Sequence, residues 1–315
     1  MLLSERRRVL GAAAKTDTWY TLVDRVEDIE PAVSKLRATG QGTAATPLAV
    51  DCEGETLSRR GKLSLLTVGT EDHVFIFDIL KLGGKEAFKA GAGLRELLED
   101  TDQQKIMFDC REDSDCLWHN HGVKLASVLD LQLLQVVHRE NTRTAFEKMR
   151  MKPDFQPMLT GLAKCLEQYV HDPQMNRAKA AGKVRLSLDA SVFMKRPLDD
   201  VLLAYAAVDI RGASALYRRL WAAVTSPVDK VNVMMGSIRY LAFHRDKVVR
   251  RFDKYERHPF LPWGVLKLPA YRHETDLAGH DLEECQGCKR NLPTSIINSW
   301  GIAKCPTCRK VDARY

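Results

Sequence analysis

The run Pro47-Leu48-Ala49-Val50-Asp51-Cys52-Glu53-Gly54 places two carboxylates two residues apart at the end of a short apolar stretch. On a β-strand, residues two apart point to the same face, so Asp51 and Glu53 project together. Held side by side, their charges repel, and a divalent cation between them removes the repulsion. Alone, the pair reads as the solvated acidic end of an edge strand. Far downstream, Tyr205-Ala206-Ala207-Val208-Asp209 sets a tyrosine and an aspartate at i, i+4 on one helix face. The two small alanines let that helix approach a neighbour closely. Between these stretches, Asp113 and Asp115 stand at the start of a helix, where acids also favour the helix dipole.

The elements that position these residues can be read from periodicity. The pattern predicts a strand over 19–23, a helix over 26–38, and the acidic strand rising from the loop Gly40-Gln41-Gly42-Thr43. Strands over 63–68 and 74–78 follow, joined by the turn Gly69-Thr70-Glu71-Asp72. A helix over 93–100, a buried strand over 105–108, a helix over 112–121, a strand over 127–130 and an apolar helix through 137 come next. The polar stretch 139–157, with two prolines, reads as a loop, and 171–183 as a basic linker. Helices are expected over 159–169, over 198–221, and from 227 to about 255. Strands that pair first and then alternate with helices imply an α/β sandwich around a mixed sheet.

In this order, D-x-E on a strand, an aspartate on a helix and Y-x-x-x-D on a late helix resemble the DEDD exonuclease superfamily. The tyrosine spacing is similar to its DEDDy branch, with RNase D and the Werner-type exonucleases. Phe193-Met194-Lys195-Arg196-Pro197-Leu198, then Tyr205-Ala206-Ala207-Val208-Asp209 and Leu216-Tyr217, look like the signature "RPL…YAA-D…LY". Lys105-Ile106-Met107-Phe108-Asp109-Cys110-Arg111-Glu112-Asp113-Ser114-Asp115 resembles the middle motif of the eukaryotic exonuclease-domain (Egalitarian-like) group. The resemblance covers roughly 19–220 and departs from RNase D at Phe193, where a tryptophan is frequent.

It implies an RNase-H-like α/β fold in which Asp51, Glu53, Asp113 and Asp209 bind two Mg²⁺ or Mn²⁺ ions and Tyr205 orients the attacking water. Asp115, two residues on, is the rival for the third carboxylate; the alignment favours Asp113. Two such ions about 3.5–4 Å apart activate a water and stabilise a leaving oxygen, and magnesium prefers oxygen ligands. The implied reaction is hydrolysis of single-stranded nucleic acid from its 3′ end, with RNA placed ahead of DNA. A catalytically weak or inactive adaptor on the same fold, binding nucleic acid or protein, is the alternative. A scaffold whose function lies wholly beyond residue 227 is a third.

Cys285-x-x-Cys288 and Cys305-x-x-Cys308, sixteen residues apart, have the spacing of one structural Zn²⁺ site. Redox pairs or disulfides are the other readings. The remaining cysteines, Cys52, Cys110, Cys116 and Cys165, are scattered singly.

The net charge of +7 is concentrated late in the chain. Residues 227–315 hold 16 Lys+Arg against 10 Asp+Glu, and the rest of the chain holds 32 against 31. Such a surplus suits a polyanion. Arg196, Arg250, Arg251, Lys289, Arg290 and Trp300 are the candidate nucleic-acid contacts. A hydrophobic content of 45% supports a sizeable core, and no apolar run reaches the roughly 20 residues of a membrane span. The organisation expected is an N-terminal extension (1–17), an exonuclease domain (18–225), a basic helical and Pro/aromatic extension (226–280) and a zinc module (281–315). Residues 1–15, with Arg6-Arg7-Arg8 and one acid, read as a solvated helix start or an organellar presequence. A monomer without membrane contact, in the nucleus, the cytoplasm or an organelle, completes the expectation.

Overall fold

The computed structural model describes residues 19–39, 46–89, 91, 93–151, 155–247, 254–268, 281–297 and 303–315. Its centre is a six-stranded mixed sheet in the order β1-β4-β3-β2-β5-β6, with β1 Tyr20–Val23, β2 Leu48–Glu55, β3 Lys62–Gly69, β4 Val74–Asp78, β5 Lys105–Met107 and β6 Val128–Asp130. β2 runs antiparallel to β3 and parallel to β5. The acidic strand is therefore interior, and the edge-strand reading of its carboxylates falls away. Leu48, Ala49 and Val50 are buried in the sheet core, as an interior strand requires.

Helices α1 Ile29–Thr39, α2 Leu94–Glu99, α3 Arg111–His121, α4 Leu131–Thr142 and α6 Leu162–Tyr169 follow the expected order, with an additional helix, α5 Ala145–Met149, between the last two. The stretch read as a loop over 139–157 is partly helical. α4 runs on through Thr142, and Thr144 with Glu147 forms a reciprocal capping box that starts α5; residues 152–154 lie outside the described ones. The stretch read as a linker over 171–183 belongs to α7 Pro173–Leu188. Asp172 caps it by accepting from the N–H groups of Gln174 and Met175 at 2.8 and 3.1 Å, and Pro173 opens it. Its polarity conceals it, because among its residues only Met175, Lys179 and Gly182 are buried.

α8 Asp200–Ala223 crosses the sheet and α9 Pro227–Arg245 follows. α9 ends ten residues before the expected end of that helix near 255, and residues 248–253 lie outside the described ones. It is part of the main core: Val233 and Tyr240 are fully buried there, with Leu261, Val265 and Leu266 of the following segment. The Tyr240 hydroxyl donates to Gln132 Oε1 at 3.0 Å, and Ser114 Oγ donates to the Leu241 carbonyl at 2.9 Å. The chain ends in a small module of β7 Leu282–Glu284, β8 Asn291–Pro293, α10 Thr294–Ile297 and α11 Pro306–Asp312. Trp263 joins this module's own core, and its backbone N–H donates to Thr307 Oγ1 at 2.9 Å.

Arg196, expected from sequence to contact nucleic acid, has a partner inside the fold. Its Nε and Nη2 donate to the fully buried Asp78 at 2.7 and 2.6 Å, and Nη2 also reaches Ser64 Oγ at 3.0 Å. Ser64 Oγ in turn donates to the Phe193 carbonyl at 2.5 Å. This fork ties the approach to α8 onto β3 and β4. Cutting a buried bidentate pair at one partner leaves the other charge unpaired, at a cost of about 3–5 kcal/mol. Asp78→Ala is expected to lower the urea-unfolding free energy by about that amount, whereas Lys81→Ala, at an exposed partner of Asp24, changes it by less than about 1 kcal/mol. Equal small losses would show that the fork contributes nothing to stability.

Candidate active site

The central strand aims the first two carboxylates. Asp51 and Glu53 alternate with buried Cys52, and a bulge follows between Glu53 and Gly54. A Cβ on Gly54 would meet the Lys62 carbonyl oxygen at 2.0 Å, so only glycine lets β3 close up there. α8 brings the third. Ala206 and Ala207 are fully buried where the helix lies on the sheet, and Asp199 caps its start with a 2.8 Å bond from Val201 N–H. The result is that carboxylate oxygens of Asp51, Glu53 and Asp209 lie within 4.8 Å of one another.

Asp113 and Asp115 part company. The Cys52 N–H donates to Asp113 Oδ1 at 3.1 Å, which draws this carboxylate against the acidic strand. Asp115 faces away: it accepts from Arg59 N–H at 2.7 Å and from Arg59 Nε at 2.8 Å. Arg59 Nη2 goes on to the carbonyls of His244 and Arg245 at 2.7 and 3.0 Å, so it clamps α3 to the end of α9. No sequence signal marks Arg59 for this.

A second residue was missed from the sequence. Lys179 of α7, 4% exposed, donates its ammonium to Asp209 Oδ1 and sits 4.7 Å from the centroid of the Tyr205 ring. One turn on, Gly182 lies flat on that ring: a Cβ there would meet Tyr205 Cδ2 at 2.2 Å. The cue was Asp172-Pro173 ahead of an alanine-rich stretch, a helix start that places Lys179 on a face with Gly182.

Crowding governs the charges. Two unit charges 4 Å apart repel by about 4 kcal/mol at an effective dielectric of about 20. Burial, with Asp209 and Asp113 nearby, holds the Asp51 carboxyl well above the usual range. Burial and Asp51 do the same to Glu53. Burial raises Asp209 against the opposing pull of Lys179. Burial also raises Asp113 to about 7, against its backbone hydrogen bonds. Burial and the neighbouring Asp209, Glu53 and Asp51 push the Tyr205 phenol up, so it remains a neutral O–H donor. An oxygen-only cluster with this surplus of negative charge fits Mg²⁺ or Mn²⁺.

The four distal cysteines also meet. Sγ atoms of Cys285, Cys288, Cys305 and Cys308 lie within 4.8 Å of one another, and none of the eight cysteines is in a disulfide. A Cβ on Gly287 would strike Cys308 Sγ at 2.6 Å. A closed four-sulfur shell suits a structural metal. Among the proposed nucleic-acid contacts, Lys289 pairs with Glu284 at 2.9 Å. Arg290 donates to the Trp263 carbonyl at 2.7 Å and lies 5.0 Å from the Phe243 ring centroid. Arg250, Arg251 and Trp300 lie outside the described residues.

A mixed sheet whose central strand and crossing helix converge carboxylates defines an RNase D-like nuclease fold. Among solved structures the chain is similar to Trypanosoma brucei RNase D (26% identity, 74% of this chain and 75% of that one, TM-score 0.57) and to its complex with RNA U12 (25%, 78% and 77%, TM-score 0.60). The chain belongs to the 3′-5′ exonuclease family, whose model matches residues 20–225. It is also similar to the piRNA biogenesis protein EXD1 of Bombyx mori, 32% identical over 123 residues, and of Mus musculus, 43% identical over 90. These matches cover 39% and 29% of this chain and only 35% and 15% of those proteins. No helix among the described residues is long and apolar enough to cross a membrane.

The Asp113 shift carries a pH signature. In the metal-free protein the folded state keeps this proton from about pH 4, where an unfolded aspartate loses it, up to about 7. The folded state therefore binds more protons across that window, and its stability falls as pH rises through it. Urea unfolding in chelator is expected to show declining stability from about pH 4 to 7, with a smaller decline in Asp113→Asn. A curve identical in the variant would mean that Asp113 titrates normally.

Proposed function

We propose that the chain hydrolyses single-stranded nucleic acid from its 3′ end, RNA ahead of DNA, with two divalent ions held by Asp51, Glu53, Asp113 and Asp209. The observation that carries this reading is the convergence of Asp51, Glu53 and Asp209 oxygens within 4.8 Å, close enough to the Tyr205 phenol that burial and all three carboxylates hold it protonated. Bound there, the ions would activate a water and neutralise charge on the leaving 3′ oxygen. Asp51 and Glu53, fixed on one strand, would hold the ions against Asp209 of the crossing helix. Asp113, anchored by the Cys52 N–H, would complete the oxygen set. The Tyr205 phenol, neutral and immobilised under α7, would donate to or accept from the attacking water and aim it at phosphorus. Similarity to an RNase D solved with RNA, and to proteins named for piRNA biogenesis, supports RNA as the substrate class.

Binding without cleavage has one observation in its favour: Lys179 already occupies one of the two Asp209 carboxylate oxygens. The two readings separate on 5′-labelled RNA and DNA incubated with Mg²⁺, Mn²⁺ or chelator. Hydrolysis predicts a ladder shortening from the 3′ end only with metal, absent in Asp209→Asn and about 10²-fold slower in Tyr205→Phe. Binding of equal strength by wild type and Asp209→Asn, with no ladder in either, overturns the enzyme reading.

For the distal module we propose one structural Zn²⁺ on Cys285, Cys288, Cys305 and Cys308, since β7, β8, α10 and α11 bury few side chains of their own. Thiol-blocking reagent is expected to release one equivalent of zinc from the purified protein, and less than a tenth of that from Cys285→Ser/Cys308→Ser. Metal content unchanged in the double variant would exclude this site.

A further inference from the structure

We propose that Lys179 is the resident counter-cation of the carboxylate cluster and exchanges with a divalent ion, so that loading the site frees the ammonium and loosens α7 from Tyr205. This exchange presupposes the metal-site reading above.

A lysine this deeply buried survives only where a negative partner holds it. Lys179 finds that partner in Asp209, on the side of the cluster that faces α7. Its ammonium is a compact charge with three donors and no acceptor. It can compensate carboxylates but cannot itself ligate a metal. A divalent ion ligated by Asp209 would draw on the carboxylate that the ammonium already occupies at Oδ1, and two cations on one carboxylate repel each other. Ammonium and metal therefore compete at Asp209.

The grip of α7 explains why the exchange would move more than one side chain. Gly182 sets the helix backbone directly against Tyr205, which fixes the register that delivers Lys179 to Asp209. Apart from Met175, Lys179 and Gly182, the helix has no buried residues, and its late apolar residues Val184 and Leu188 are 57% and 76% exposed. The rest of its grip is Leu186, partly buried against the main core, and Arg185, paired with Asp199 at 3.1 Å, so the Lys179–Asp209 pair is the buried polar part of its attachment. Withdrawal of the ammonium would uncover the ring of the residue proposed to aim the water.

The test measures Mn²⁺ binding to the full chain, free of nucleic acid, by electron paramagnetic resonance of the unbound ion. Lys179→Met is expected to bind Mn²⁺ about tenfold more tightly than wild type, and to melt earlier in chelator while gaining more on adding Mn²⁺. Gly182→Ala retains the lysine but wedges α7 off Tyr205, and is expected to tighten Mn²⁺ binding in the same direction. Unchanged or weaker affinity in both variants overturns the exchange; if Lys179→Met does not fold, Gly182→Ala decides alone. Should wild type and Asp209→Asn bind Mn²⁺ identically, the metal-site reading fails first, and the exchange falls with it.

Discussion

Carboxylates gathered into a half-buried corner repel one another, and the fold must overcome that repulsion before any ion arrives. The means are rigid. Asp51 and Glu53 are carried by a strand that pairs with β3 along its length and with β5 at Leu48 and Ala49, so neither can retreat without breaking the sheet. Asp209 comes from a helix whose alanines press it onto the same sheet. Asp113 is drawn in by a backbone N–H of the very strand it approaches. Each contributes one end of an arrangement that is electrostatically strained and sterically pinned. Lys179 relieves part of that strain from the outside.

The same rigidity extends outward through polar clamps instead of apolar packing alone. Arg196 fastens the approach to α8 onto the sheet through Asp78 and Ser64. Arg59 fastens α3 to α9 through Asp115 and two terminal carbonyls. Both arginines use planar, multidentate donation, which fixes direction as well as distance. A lysine in either place would supply the charge without the orientation.

What could be read from the chain beforehand was what depends on near neighbours. The D-x-E pair declares a shared strand face, and Y-x-x-x-D a shared helix face, because two-fold and 3.6-fold periodicities act over a few residues. The strand order around β2 was not legible in that way, since an acidic strand end looks alike at an edge and in the interior. Asp113 and Asp115 could not be told apart by spacing; the Cys52 N–H and Arg59, each more than fifty positions away, separate them. α7 was misread because its exposed face is polar and its buried face amounts to three residues, leaving only its capping residues as a cue. Lys179 was hidden with it.

The match to the exonuclease family stops at residue 225, but the hydrophobic interior does not. α9 begins two residues later and inserts Val233 and Tyr240 among the side chains that back β6 and α3. Its final carbonyls are the far anchor of the Arg59 clamp. Inheritance of the nuclease motifs and physical self-sufficiency thus have different limits in this chain. The polypeptide that supplies the acids ends before the polypeptide that holds one of their helices in place.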